Sequence, residues 1–332
     1  MKHLSMLLSF FSAIVLLASC NGAGGFLTAS SAANEVVVVM DDDQWKSETG
    51  RALFDVLNSP AKGLPQREAN FRIIQISPEN FTSTFKMARN IVIPEISNIY
   101  SAPKFTSELD KYAVGQVIVS VKAPDSTSFK QFLTSNTENI VNYIVQKELE
   151  RNANWLIKDS GTPQTRIQEV FGININYPKG IPNITEHPNF YWATNNSAES
   201  RQDVVIYQFP YTSEKVFEKD SLIAIRNRVL GDYIKGSFNS QMTTAVASYT
   251  PDYRRFQANG FFRAELRGLW EMTSDMMGGP FVMQAFVNPN TNKVVIVETF
   301  VYAPEKKKRN LIRNLEAALY TIRIPEIAQN KN

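Results

Sequence analysis

Residues 260–281 hold the densest set of side chains able to recognise or transform a ligand. On an extended strand, Arg263, Glu265 and Arg267 share one face, while Phe262, Ala264, Leu266 and Trp270 tend to the other. Two arginines on one face can grip a carboxylate or phosphate by forked hydrogen bonds. The same pattern also describes a solvated face whose charges pair along the strand. Gly278-Gly279-Pro280 reads as a turn that lets the backbone approach a ligand closely. Glu298 stands out in the run 294–302, on one face with Val294, Ile296 and Phe300. A carboxylate there is costly unless paired. Arg263 or Arg267 are the partners expected from across the sheet, and an unpaired acid with a raised pKa is the catalytic alternative. Glu298, Glu265 and Asp275 are therefore the acids to consider for carboxylate-based hydrolysis, which needs two of them several ångströms apart.

Other chemistry is excluded or weak. Cys20 is the single cysteine, and outside the first 19 residues His187 is the single histidine. A cysteine-based zinc site, an intrachain disulfide and a multi-histidine metal site are therefore not expected. Asp41-Asp42-Asp43 reads as the acidic start of a helix, with Asp41 and Gln44 spaced as a capping box, rather than as a metal site. Lys306-Lys307-Lys308-Arg309 places cations at a helix start, against the dipole, where an anionic partner would offset them. With 35 Lys+Arg against 32 Asp+Glu, the chain lacks the charge excess of a nucleic-acid binder. No phosphate-loop pattern, metalloprotease motif or nucleophile elbow occurs, and no cofactor is expected.

The chain opens with Lys2, an apolar run over 4–17 and Leu17-Ala18-Ser19-Cys20. This is the layout of a secretory signal, with an apolar run too short for a span of about 20 residues. Its end resembles the lipobox of bacterial lipoproteins, which implies cleavage before Cys20 and diacylglycerol on its sulfur, hence a membrane attachment. Sorting rules carried over from such proteins read Asn21, with no acid at 21–25, as an outer-membrane address facing the periplasm. Residues 1–19 are then the signal peptide, and 20–33, rich in small residues, a tether.

Two α+β halves are expected to follow, over 34–160 and 165–327, divided at 158–164. Each is predicted as a mostly antiparallel or mixed sheet with helices on one face. Strands are predicted at 36–40, 71–76, 90–93 (stopped by Pro94), 115–122, 170–177, 189–194, 204–209, 261–272, 281–287 and 294–302. Long helices are predicted after Asp125 and around 222–234 and 305–319. Strand, Ala-Pro-acid and helix recur at 117–125 and 294–305, and Ile91-Val92-Ile93-Pro94-Glu95-Ile96 echoes Ile322-Arg323-Ile324-Pro325-Glu326-Ile327. This grammar predicts two related halves.

Together, these features resemble a family of uncharacterised lipoproteins from Bacteroidetes that is defined as a domain of unknown function. The resemblance rests on Cys20 in its lipobox and on Val36-Val37-Val38-Val39-Met40-Asp41 with Trp45. It rests also on Arg267-Gly268-Leu269-Trp270 through Met277-Gly278-Gly279-Pro280-Phe281. It implies an envelope location and attaches no activity, cofactor or catalytic residue. The expected function is a lipid-anchored binding or scaffold module, with Arg263, Glu265, Arg267 and Trp270 as its binding face. The alternative is an envelope hydrolase acting through Glu298 and Asp275.

Overall fold

The computed structural model describes residues 27–326; Cys20 and the signal lie outside them. The chain forms two sheets, in the order β1 (Glu35–Val39), α1 (Asp42–Lys46), α2 (Glu48–Leu57), β2 (Arg72–Ile76), α3 (Ser83–Lys86), β3 (Asn90–Ile96), β4 (Lys104–Leu109), β5 (Val117–Ala123), α4 (Ser126–Ser135) and α5 (Thr137–Lys158). Then come α6 (Gln164–Phe171), β6 (Asn183–His187), β7 (Phe190–Thr194), β8 (Arg201–Pro210), α7 (Lys219–Tyr233), β9 (Met242–Thr244), β10 (Asp252–Ala258), β11 (Phe261–Met272), β12 (Asp275–Asn288), β13 (Lys293–Tyr302) and α8 (Arg309–Tyr320). This is an α+β protein.

The first sheet has five strands in the order β2-β1-β3-β5-β4, all parallel except the β4–β5 pair. β1 lies inside it and is buried along its whole length, which its run of valines supports. One face packs on α2, α4 and α5 through Val36, Val38, Leu53, Phe129 and Ile144. The other is closed by Phe81, Phe85 and Tyr112. The second sheet has eight strands, β10-β11-β12-β13-β8-β7-β6 with β9 on β11, every pair antiparallel. Its two faces bury separate cores. Phe171, Val282, Val297 and Leu315 lie on the α6 and α8 side, and Leu222, Leu230, Met283 and Ile296 on the α7 side.

Several expectations need correction. The sheets differ in strand order and direction, so the repeated Ala-Pro-acid grammar reflects proline closing strands, not a shared layout; α4 starts just after Pro124, but Glu305 is left-handed (φ 59°) and α8 starts only at Arg309. Helices cover both faces of the second sheet rather than one, because its strands are apolar on both sides. Pro94 does not stop β3. The strand pairs with β1 only through Ile91 and Val92, so its β1 side is open at Pro94, where no N–H is needed. The segment 170–177 is not a ladder strand. α6 ends at Gly172 in the left-handed region (φ 65°), and Ile173, Ile175 and Tyr177 then alternate inward with a single bridge, Asn174 to Arg323. The aspartate run gives only the short α1. Asp41 makes no side-chain cap bond, and Ser47 instead caps α2 through the Thr49 N–H. Gly278-Gly279-Pro280 lies within β12; the turn joins Met272 to Asp275.

α5 joins the two units. Its 22 residues, about 33 Å at the α-helical rise, bury Ile140 and Ile144 in the first core and Leu149 and Leu156 in the second. α8 packs alongside it, and a groove lies between them.

Candidate binding cleft between the two units

β11 alternates as expected. Ala264, Leu266 and Trp270 point into the α7-side core. Arg263, Glu265 and Arg267 face α8 and α5. The outcome differs for each residue. Arg263 is fully buried; its guanidinium donates to Gln284 Oε1 (2.7 Å), the Leu319 carbonyl and the Ile322 carbonyl (3.2 Å). It therefore caps the C-terminal end of α8, where a cation is favoured, and no ligand reaches it. Burial pushes its pKa down to about 10. Glu265 is held by Arg254 Nε (2.8 Å) and Gln284 Nε2 (2.8 Å). Trp270 is buried edge-on to Phe300, and its indole N–H donates to the Val301 carbonyl at 3.2 Å. Arg267 alone of the expected face reaches the groove between α5 and α8, paired with Glu316 of α8. Burial opposes its charge, but the Glu316 and Glu265 carboxylates more than offset that and raise its pKa.

Glu298 is on the opposite face of the sheet, so neither Arg263 nor Arg267 can pair with it. Leu266, Met283 and Glu298 stand opposite one another across β11, β12 and β13 and point towards α7. α7 supplies Arg226, whose Nε and Nη2 hold both carboxylate oxygens at 2.7–3.1 Å. Nη1 donates to Thr244 Oγ1 at 3.0 Å, and the guanidinium stacks 4.0 Å from the Phe281 ring centroid. Both partners are fully buried. Burial raises the Glu298 pKa, opposed by Arg226. Asp275 sits partly exposed at the β11–β12 turn. Glu298, Glu265 and Asp275 therefore belong to three separate environments, and these three acids do not converge on one cavity.

The cavity is a groove of about 300 Å³. One wall is the α5 stripe Thr137, Glu138, Val141, Asn142 and Val145, and the other is Arg309, Ile312, Arg313 and Glu316 on α8. Both stripes follow helical spacing. The loop after α2 closes one end. There Gly63 adopts φ +70°, and a Cβ on it would meet Arg267 Cγ at 2.7 Å. The Gly63 N–H donates to Tyr249 Oη (3.0 Å), and Tyr249 donates in turn to Asp252. A second hollow of about 220 Å³ continues past Arg267 and Glu316 to Arg254, Glu265 and Tyr320.

Charge separates the two hollows. Lys62, Arg254 and Arg267 face Asp252, Glu265 and Glu316 in the smaller one. The larger is lined by Lys62, Arg267, Arg309 and Arg313 but only Glu138 and Glu316. Lys62 pairs with Glu138 at 2.9 Å. Arg313 is 6% exposed and hydrogen-bonds to Asn34 Oδ1 (2.7 Å), the Asn70 carbonyl (2.8 Å) and Asn70 Oδ1, with no ion pair among the described residues. Burial lowers its pKa, and nearby Glu316 only partly offsets this. Glu316 Oε2 is buried without a hydrogen bond. Neutral amides satisfy the geometry of Arg313 but leave its charge uncompensated in a low-dielectric site.

The basic run at the start of α8 has its anion. Glu68, from the first unit, accepts the Lys308 N–H at 2.6 Å and the Arg309 N–H at 3.2 Å. Arg313, Lys62 and Arg226 escaped sequence reading, and Arg309 was read only within the basic run at the helix start. The available signal was Arg313 and Glu316 interrupting a run of Leu, Ile and Ala in α8. Among the described residues no group of acids, histidines or cysteines could hold a metal ion, and no helix is long and apolar enough to cross a membrane.

Residues 29–156 match the model of a domain of unknown function, DUF8532, and residues 160–321 match that of another, DUF4837. The cleft draws Lys62, Glu138 and Asn142 from the first matched stretch and Arg267, Arg309, Arg313 and Glu316 from the second. No curated protein matches the chain. Among solved structures, it is similar to the Ran-binding protein Mog1p of Saccharomyces cerevisiae over 46% of this chain and 90% of that one. The identity is 9% and the TM-score 0.29, too low for any argument about this chain.

Proposed function

We propose that this chain is a lipid-anchored envelope protein of the Bacteroidetes lipoprotein type, tethered through Cys20 in the outer membrane and facing the periplasm. Its folded body is a binding module that takes an anionic ligand, carrying a carboxylate or phosphate, in the cleft between α5 and α8. The cation excess of the cleft carries this reading, above all buried Arg313 without a carboxylate partner. An anionic group entering beside Arg267, Arg309 and Arg313 meets forked donors already held in place by Asn34, Asn70 and Glu316. The hydrolase alternative lacks support, because Glu298 is sealed against Arg226 and the other candidate acids do not face it.

Two measurements test the proposal. For the anchor, cells expressing the full chain are labelled with palmitate. Labelled native protein in the membrane fraction and unlabelled Cys20→Ala support it; a native chain that fractionates unlabelled refutes it. For the cleft, thermal unfolding of the mature chain is followed with added phosphate and citrate. A ligand at about 100 times its Kd stabilises by about 2.7 kcal/mol, so the midpoint should rise in the native chain. It should rise far less in Lys62→Gln/Arg309→Gln. An equal response in both proteins removes the cleft from the reading.

A further inference from the structure

A further cavity, of about 530 Å³, lies on the other side of α5, within the range of small-molecule pockets. Lys147, Arg151, Trp155 and Lys158 follow one another at helical spacing along that wall. The facing wall is the end of β4 and the turn before β5, with Leu109 and Val114. The segment at 27–29 runs beside Val114: the Val114 N–H donates to the Leu27 carbonyl and the Ala29 N–H to the Val114 carbonyl, both at 2.9 Å. Part of the rim is apolar and open to solvent: Trp155 is 54% exposed, Leu109 53% and Val114 49%, with exposed Leu27 next to the lining residue Thr28.

The inner end is cationic. Arg151 ion-pairs with Glu148 at 2.9 Å and donates to the Gly115 and Arg89 carbonyls. Arg89 lies close enough to repel it, and Arg89 Nε is buried with no hydrogen-bond partner. The acids on the wall are engaged. Asp110 accepts the Gly115 and Gln116 N–H groups, and Glu150 pairs with Lys147 at 2.8 Å. Lys158 has no ion pair among the described residues and stands at the rim. Apolar rim, tryptophan and the Arg89 guanidinium, which has no ion pair among the described residues, form an amphipathic site. A free anion would leave the rim bare, and a neutral lipid would leave Arg89 uncompensated. Leu27 is also seven residues from Cys20, a reach of at most about 25 Å. A chain tethered there holds this cavity next to the bilayer.

We infer that this pocket binds an anionic phospholipid of the anchoring leaflet, its phosphate at Arg89 and Arg151 and an acyl chain along Leu109, Val114 and Trp155. The inference rests on the tethered reading for the source of the lipid. It orients the body with this side of α5 against the membrane and gives the anchor a second point of attachment.

The test is vesicle flotation of the mature chain carrying Cys20→Ser, so that no covalent lipid contributes. Vesicles of phosphatidylglycerol and phosphatidylcholine should retain the protein at least tenfold more strongly than vesicles of phosphatidylcholine alone. Trp155→Ala/Lys158→Ala, two exposed positions, should lose at least tenfold of that retention with an unchanged unfolding midpoint. Equal retention by both vesicles, or by variant and native chain, overturns the inference. Stabilisation by inorganic phosphate that the variant loses, without vesicle retention, would reassign the pocket to a free anion. Because the assay uses unlipidated protein, its failure leaves palmitate labelling of Cys20 untouched, and a failure of labelling leaves this result untouched.

Discussion

At the scale of single residues, the chemistry of this chain is set by which charges are compensated. Glu298 and Arg226 form a fully buried pair with forked hydrogen bonds. Removing one partner strands the other in the core, so Glu298→Ala should cost about 3–5 kcal/mol in urea unfolding. Arg226→Met/Glu298→Leu should recover most of that loss, since replacing both charges by apolar groups is often close to neutral. The pH dependence has a definite sign. The folded pKa of Glu298 is raised above its ordinary 4.5. As pH rises past that value, the unfolded chain loses this proton before the native one does. Native protein then binds more protons, and stability falls with rising pH. The stability of the native chain minus that of Glu298→Gln should therefore decline as pH rises above the ordinary 4.5, and a rising difference would contradict the assigned cause.

At the scale of elements, glycine placement in the second sheet is sterically strict. Gly279 faces Trp270 across β11 and β12, and a Cβ there would overlap the Val301 carbonyl oxygen, the acceptor of the Trp270 indole. Gly279→Ala should cost about 1–3 kcal/mol, at the upper end because the obstacle is backbone. Gly260 is a useful contrast. Its φ is +86°, and a Cβ at that position would meet no atom within 4 Å. Gly260→Ala should therefore lose only about 1–2 kcal/mol of left-handed backbone strain. Equal losses at the two sites in thermal unfolding would show that the sheet yields at Gly279 and the overlap costs no more than the strain at Gly260.

At the scale of the molecule, the two sheets are joined by α5 and by contacts that reach from the first unit to α8. Glu68 receives the first N–H groups of α8, Arg313 reaches Asn34 and Asn70, and Arg309 reaches the Ala69 carbonyl. Glu68→Ala leaves buried donors at a helix start facing a basic run. It should lower stability by about 1.5–3 kcal/mol and speed amide exchange at Lys308 and Arg309. The cleft depends on the same docking, so the variant should also lose the response to phosphate. Retained stability with unchanged exchange would show that α8 does not need the anion from the first unit.

What the sequence by itself determined was local. Valine runs made buried strands, Asp125 capped α4 through the Ser128 N–H, and the alternation in β11 placed Arg263, Glu265 and Arg267 on one face. The α+β class follows from such patterns, because period and capping depend on neighbours in the chain. Only the tertiary structure decided which charges meet. Glu298 required α7 to supply Arg226, Arg263 required the end of α8, and the basic start of α8 required Glu68. These partners are separated by 72, 56 and 240 residues. Compensation of a buried charge depends on distance in space, and no periodicity along the chain encodes it. The cleft was hidden for the same reason. Its cations come from three places, Lys62 in the loop after α2, Arg267 on β11 and Arg309 and Arg313 on α8, and they form a site only because α5, a helix shared by both cores, lies alongside.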